Sequence, residues 1–296
     1  MLPLKTRLIR FVYDHFLPCM VNRRWQATYG YKIDWNKPRD INEKMQWLNC
    51  FSDTKLWSLC ADKYRVREFL EERGLGHLAV RLYGVWQNAN DIDFDNLPET
   101  FVLKCNHDSG TSIIVDKRKP FDKEEIVFKL NEALKVKYGY INGELFYNRI
   151  KPCVIAEEFL QDKTCDFSST LVDYKIWCFD GKPYCTWACY NRVDGHTFVN
   201  VYDKNWKVHP ECSVFNDHYR DGKGKVPKPE THGQMMEVAA VLSKGFPEVR
   251  VDLYEVNGKL YFGELTFMTA FGQIDFYTKE FLLELGDQCV LPTDKK

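Results

Sequence analysis

Val249, Val251 and Leu253 alternate with Arg250, Asp252 and Tyr254, the two-residue period of a strand with one apolar face. Asn257-Gly258 then marks a turn, and residues 259–265 return as a second strand, so the pattern predicts a hairpin. The same alternation sets Phe101, Leu103 and Cys105 against Val102, Lys104 and Asn106, in a strand that runs into the small polar loop Ser109-Gly110-Thr111-Ser112. An apolar strand, Val154-Ile155-Ala156, ends in Glu157 and Glu158, and residues 173–183 read as a strand and turn carrying Lys175. A further strand is expected over residues 78–86.

Helical spacing fills much of the remainder. Asn42 is placed to cap a helix over residues 43–49, and an amphipathic stretch from Asp62 to Arg73 stops at Gly74. Residues 121–137 form a helix with Asp122 near its start and Lys135 and Lys137 near its end, as the macrodipole favours. Residues 230–245 form another. Between them, residues 210–229 space Arg220, Lys223, Lys225 and Lys228 with Gly and Pro, and are expected to be a flexible linker. Such a linker serves equally as a lid over an anionic substrate or as a solvated loop. The mixture of elements is α+β.

In residues 1–24, Lys5, Arg7 and Arg10 interrupt the apolar positions, which excludes a signal peptide and a spanning helix. Leu4, Leu8, Phe11, Val12 and His15 share a helical stripe, and with Arg23 and Arg24 the segment has five basic residues against Asp14. It either docks on the protein's own body or lies on an anionic membrane surface. Composition adds boundaries. A chain of 296 residues with 45% hydrophobic and 15% aromatic content buries a sizeable core. A net charge of −1 gives no general nucleic-acid signal. Eleven cysteines without a Cys-x-x-Cys pair read as reduced thiols in a cytoplasm, with Cys178, Cys185 and Cys189 as buried thiols rather than zinc ligands.

The chemistry at the hairpin turns on parity. With a regular two-residue turn, Asp252 and Glu264 fall on opposite faces of the sheet. With the three-residue loop Val256-Asn257-Gly258, or another device such as a bulge, Arg250, Asp252 and Glu264 share a face. In the loop case Arg250 lies opposite Glu264 with Asp252 diagonal to it, and both carboxylates reach one Mg²⁺ site. A three-residue loop with Gly258 at positive φ, or a bulge, is therefore expected. An ordinary hairpin with solvated charges has the same sequence pattern. Lys104 beside the Ser109–Ser112 loop suits nucleotide phosphates, although the Gly-x4-Gly-Lys spacing is missing. Asp91, Asp93 and Asp95 overlap in Asp-x-Asp patterns, but they lie in a turn-rich stretch that favours loop or capping roles.

The order of these pieces (Lys strand with a small-residue loop, acidic strand end, Asp-x-Lys, Arg-x-Asp and Glu-x-Thr strands) resembles the ATP-grasp superfamily. The segments Asn42-Glu43-Lys44-Met45-Gln46-Trp47, Ala61-Asp62-Lys63-Tyr64-Arg65-Val66-Arg67, Asp91 to Pro98, Lys104-Cys105-Asn106-His107 and Phe262-Gly263-Glu264-Leu265-Thr266-Phe267 narrow this. They resemble the TupA-like ATP-grasp family, named for a teichuronopeptide biosynthesis protein and found with genes for bacterial surface and capsular polysaccharides. The similarity runs from about residue 20 to the C-terminus.

The resemblance implies two α+β subdomains clamping ATP. Residues 1–24 would be the basic N-terminal segment, 25–100 a mostly helical region before the clamp, 101–160 the small nucleotide-clamping subdomain, and 161–296 the subdomain with the metal site. It implies a cytoplasmic carboxylate–amine ligase that uses ATP and Mg²⁺ and passes through an acyl phosphate. Such an enzyme would join an amino acid or amino sugar to a uronic acid of a glycan, or of its nucleotide- or lipid-linked precursor. Lys104, His107, Ser109, Gly110, Thr111, Ser112, Glu157, Glu158, Phe159 and Leu160 would bind ATP, and Asp252, Glu264 and Thr266 the metal. Lys175, Arg192 and Arg250 would act at the transferring phosphoryl group, with Asn200 and Thr269 at the acceptor. The chain departs from the family's Pro-Ala-Ser-Gly with Thr269-Ala270-Phe271-Gly272. A sugar kinase, a non-catalytic binding member and a glycosyltransferase are the alternatives.

Overall fold

The structure, a computed structural model, describes residues 4–162 and 165–293. Side chains are described from Arg7 onward, so those of Leu4 and Lys5 in the N-terminal stripe lie outside the described residues. The helices are α1 (Leu4–Tyr29), α2 (Ile41–Phe51), α3 (Lys55–Cys60), α4 (Val66–Glu72), α5 (Lys123–Leu134), α6 (Gly139–Asn142), α7 (His232–Ser243) and α8 (Lys279–Gln288). The strands are β1 (Leu82–Trp86), β2 (Thr100–Cys105), β3 (Ser112–Asp116), β4 (Val154–Glu158), β5 (Asp173–Phe179), β6 (Lys182–Val193), β7 (His196–Asp203), β8 (Tyr219–Asp221), β9 (Val249–Val256) and β10 (Lys259–Thr266).

They form two sheets, β1-β4-β2-β3 and β10-β9-β5-β6-β7-β8. The alternation read at residues 101–105 holds. Phe101, Leu103 and Cys105 are wholly buried with Val115, Ile126, Leu130, Val154 and Ala156 in a core under the small sheet. The larger core joins the big sheet to α2, α3, α4, α7 and α8 through side chains such as Met45, Phe69, Trp177, Met235, Val251 and Leu285. β5 and the N-terminal five residues of β9 are buried throughout, as expected of central strands packed on both faces.

Two local expectations need correction. The cap of α2 is Asp40, in extended conformation, whose side chain accepts from the Glu43 amide at 2.9 Å. Asn42 instead points into the core, where its Nδ2 donates to the Ile274 carbonyl at 3.0 Å and its Oδ1 accepts from the Ile274 amide at 2.9 Å. It pins α2 to the chain after β10. Residues 210–229 are not a plain linker: Tyr219–Asp221 adds to β7 as a parallel edge strand. The Thr197 amide donates to the His218 carbonyl at 2.8 Å and the Gly222 amide to Val199 at 3.1 Å. A three-residue edge strand takes its structure from its partner rather than from local propensity.

Helix α1 kinks at Phe16, two residues before Pro18. Tyr13, Val21 and Trp25 are buried and Tyr140 donates its hydroxyl to Asp14 at 2.9 Å, so part of the helix docks on the body. Leu8 and Phe11 remain 61% and 52% exposed. Among the described residues no helix is long and apolar enough to cross a membrane.

Candidate active site

The β9–β10 hairpin resolves the parity question with a bulge. Asn257 and Gly258 have φ of 52° and 71°, the left-handed pair of a two-residue turn, so the three-residue loop is not formed. Pairing runs from Lys259↔Val256 to Phe262↔Leu253, then shifts to Glu264↔Asp252, Leu265↔Val251 and Thr266↔Arg250. Gly263 is the extra residue. A Cβ there would come within 2.9 Å of both the Asp252 carbonyl oxygen and Tyr254 Cε2, so the bulge depends on glycine. The shift brings Arg250, Asp252, Glu264 and Thr266 to one face. It also moves the expected partners by two residues: Asp252 lies directly opposite Glu264, and Arg250 opposite Thr266.

Pairing of β5 with β9 sets Lys175 opposite Asp252. Asp252 is 1% exposed and accepts from Arg250 Nε at 2.7 Å, Arg250 Nη2 at 2.8 Å and the Lys175 ammonium. Burial pushes the Asp252 carboxyl up, but the Arg250 guanidinium and Lys175 ammonium outweigh it and hold it below its ordinary value. Burial likewise pulls Lys175 down, and Asp252 and Asp173 more than restore it. Asp252 and each of the two cations thus favour one another's charged form. Arg250 also donates to Thr266 Oγ1 and Thr269 Oγ1, each at 3.1 Å, and Thr266 donates to Glu264 Oε1 at 3.1 Å. Glu264 is the open member, with a half-exposed side chain and a 3.4 Å contact to Arg250. Arg192, from the far end of β6, pairs with Asp173.

Facing this cluster, β2 of the small sheet, with α4 and the turn before it, supplies a second set of cations. β2 and β4 are neighbours, and Lys104 Nζ meets Glu157 Oε2 at 2.9 Å while Arg67 reaches Glu157 Oε1 at 2.7 Å. Lys63 donates to the Asp108 carbonyl. These residues line a cleft of about 140 Å³ with Gly110, Thr111, Ser112 and, from across the cleft, Glu264. Ser109 lines an adjoining cavity of about 230 Å³ beside Arg250, Glu264, Thr266 and Phe271. A third cavity, of about 310 Å³, is walled by Lys175, Arg192, Arg250 and Thr269 with Trp187 and Phe276, whose rings stack at 4.3 Å.

Some expected residues lie elsewhere. His107 is 2% exposed, with Nε2 near the Val136 carbonyl at 3.2 Å, and burial lowers its pKa. Asn200 is wholly buried; its Nδ2 donates to Asp221 at 3.0 Å and its Oδ1 accepts from the Gly224 amide at 2.8 Å, tying β7 to the segment after β8. Glu158, Phe159 and Leu160 are half-buried just past Glu157, which itself lines the cleft.

Lys63 and Arg67 had been given no role, although their segment was singled out. Asp62 explains the spacing. Its Oδ1 accepts from the Tyr64 and Arg65 amides and from Asn106 Nδ2 at 2.8 Å, while Asn106 Oδ1 accepts from the Cys153 amide. One buried carboxylate thus fixes the start of α4, the end of β2 and the start of β4. Similarly, Gln46 donates to the Phe271 carbonyl at 2.8 Å. That bond supports a strained turn in which Ala270 and Phe271 have φ of 49° and 58°. Asp93 accepts from the Asp95 and Asn96 amides, a turn role for the Asp-x-Asp stretch.

The sequence model of the TupA-like ATPgrasp family matches residues 43–290. No curated protein sequence matches. Among solved structures, an L-amino acid ligase from Bacillus licheniformis is 14% identical with a TM-score of 0.47, over 86% of this chain and 55% of that one. A D-alanine–D-alanine ligase from Bacillus anthracis, complexed with ATP, is 16% identical with a TM-score of 0.41, over 73% of this chain and 57% of that one. The chain spans little more than half the length of these two relatives.

Proposed function

The chain belongs to the TupA-like ATP-grasp family, and from that premise we propose that it is an ATP-dependent carboxylate–amine ligase working through an acyl phosphate. The observation that carries this is the convergence of Lys175, Arg250, Asp252, Glu264 and Thr266 on one face of the large sheet, across a cleft from Lys104 and the 109–112 loop. Phosphoryl transfer asks a protein for positioning and for charge neutralisation rather than covalent chemistry. Lys104, Lys63 and Arg67 stand where ATP's phosphates enter. Residues 101–160 serve as the nucleotide clamp, and residues 161–296 carry the transfer site.

The donor set fits Mg²⁺. Two carboxylates on directly paired strand positions and one hydroxyl are hard oxygen ligands, and Mg²⁺ is commonly held by one or two carboxylates plus substrate phosphates. Among the described residues no group of three or more His, Cys, Asp and Glu offers a closed protein cage. When bound, the metal would supply charge neutralisation between the β- and γ-phosphates. Asp252 is meanwhile capped by Lys175 and Arg250, so incoming phosphate oxygens compete with it for these two cations.

The cation-rich cavity suits a uronic acid. Arg192, Lys175 and Arg250 attract a carboxylate, and the Trp187–Phe276 wall offers apolar surface to a sugar ring. The amine would be an amino acid or amino sugar, in the assembly of a surface or capsular polysaccharide in the cytoplasm. Exposed Leu8 and Phe11 beside Arg7 support peripheral contact of α1 with an anionic membrane, where lipid-linked precursors reside.

Calorimetry with Mg-ATP and with UDP-glucuronate tests nucleotide choice. Mg-ATP is expected to bind, and Lys104→Ala to weaken it about tenfold or more, the worth of a charged hydrogen bond. Tight UDP-glucuronate binding without ATP binding would instead mark a glycosyltransferase.

A further inference from the structure

The cavity of about 230 Å³ contains an imbalance that ATP does not account for. Glu144, just after α6, is 4% exposed and lines it, with no hydrogen-bond partner for Oε2 among the described residues. Asp108 is 6% exposed and lines the same cavity, with Oδ2 accepting from Thr111 and Oδ1 without a partner among the described residues. Buried carboxylate oxygens without donors are costly, so two in one cavity call for a ligand that brings hydrogens and positive charge. The groups around Glu144 do not supply them. Tyr138 and Tyr147 pack edge to face at 5.0 Å, Glu264 adds a third carboxylate, Lys63 is spent on the Asp108 carbonyl, and Arg24 of α1 is spent on Asn142. Burial pushes the Glu144 carboxyl up to about 8, with Arg24 pulling weakly the other way.

Position adds a second argument. Arg250 and Ala270 line both this carboxylate-bearing cavity and the cation-rich one. Two pockets of opposite charge therefore meet at the guanidinium expected beside the acyl phosphate.

Resting on the ligase reading, we propose that this cavity is the amine subsite, which takes the primary ammonium group of the acceptor between Glu144, Asp108 and the Tyr138–Tyr147 rings, with Glu144 as its proton acceptor. An ammonium has three donors and no acceptor, which matches two orphan oxygens and aromatic walls. Its charge favours ionised Glu144 when bound. The balance is simple. The ammonium gives one proton to Glu144, and the free amine attacks the acyl carbon. The new C–N bond forms as the C–O bond to phosphate breaks, with its electron pair leaving on phosphate. The nitrogen's surplus proton leaves with the phosphate.

The test is binding of glycine methyl ester, an ammonium probe without a carboxylate, followed by saturation-transfer NMR on the full chain, with N-acetylglycine methyl ester as the uncharged control. The ester is expected to bind and the control not. Glu144→Gln, of equal size, should weaken ester binding at least tenfold, and in turnover should raise KM for the amine while leaving KM for ATP unmoved. Asp108→Asn reads the same cavity from its other wall, should Glu144→Gln not fold. Equal binding of ester and control, or an ester affinity unchanged in both variants, would overturn the proposal. Probe binding lost in the variants, with no ADP formed by the wild-type chain, would instead sink the ligase reading and leave the ammonium site standing.

Discussion

Asp252→Asn is expected to cut ATP turnover by about 100-fold or more and to destabilise the fold, whereas Glu264→Gln should cost similar activity with little loss of stability. The asymmetry follows from their surroundings. Asp252 is buried against two buried cations, and removing its charge takes the main counter-ion from Lys175 and Arg250 and leaves only the longer contacts to Asp173 and Glu264, at about 3–5 kcal/mol for a broken buried pair. Glu264 is half-exposed with a 3.4 Å contact, so its loss should cost no more than about 1 kcal/mol. Both lose a carboxylate that would hold the metal whose charge neutralises the transferring phosphoryl group, an effect on the order of 10²–10³ in rate. Single-turnover ADP release and urea unfolding on the two variants separate the effects. The acid limb gives a further check. Asp252 titrates below its ordinary value when folded, so its stabilisation is complete above that ordinary value and is lost as pH falls through the folded value. Asp252→Asn should flatten that limb.

Gly263→Val should be nearly as damaging, although Gly263 carries no chemistry. Any Cβ at this position meets the Asp252 carbonyl and the Tyr254 ring at 2.9 Å, and the first of these is backbone. Relief requires either a local shift, at about 1–3 kcal/mol for overpacking, or loss of the bulge. Without the bulge the odd pairing of Lys259↔Val256 would continue, and Glu264 would pass to the face opposite Asp252. Turnover is therefore expected to fall tenfold or more even where the variant stays folded. Thermal unfolding together with Mg-ATP titration checks this. Wild-type affinity and activity in a folded Gly263→Val would mean that the bulge does not set the site.

This hairpin also shows what the sequence made legible. Alternation placed both strands, and the demand that two carboxylates share a face required a register shift. Asn257-Gly258 forms the two-residue turn that its type signals, not the three-residue loop, and the shift lies at Gly263, a position the alternation pattern does not mark. The β2 and β4 strands were equally plain, β2 because Phe101, Leu103 and Cys105 make one apolar face and β4 because the apolar run Val154-Ile155-Ala156 precedes its two acids. Asn42, Asp62 and Gln46 were harder. Their side chains hold backbone groups as far as 232 residues away, and periodicity says nothing about such partners. Asn200 was placed at the acceptor by resemblance alone, and its amide groups go to Asp221 at the end of β8 and to the Gly224 amide just beyond it. Glu144 sits between Tyr140 and Tyr147 in an aromatic-rich stretch where no periodicity marks it as a site residue. Only the fold shows that its carboxylate is buried, unpartnered and turned into a cavity.

The most direct measurement is hydroxylamine trapping with Mg-ATP and a panel of uronic acids, read by mass spectrometry together with ADP release. An acyl phosphate is expected to appear as the uronate hydroxamate, with one ADP per hydroxamate and none when the matching neutral sugar replaces the uronate. A product heavier by one phosphate, formed equally from the neutral sugar and without hydroxamate, would contradict the ligase and identify a kinase.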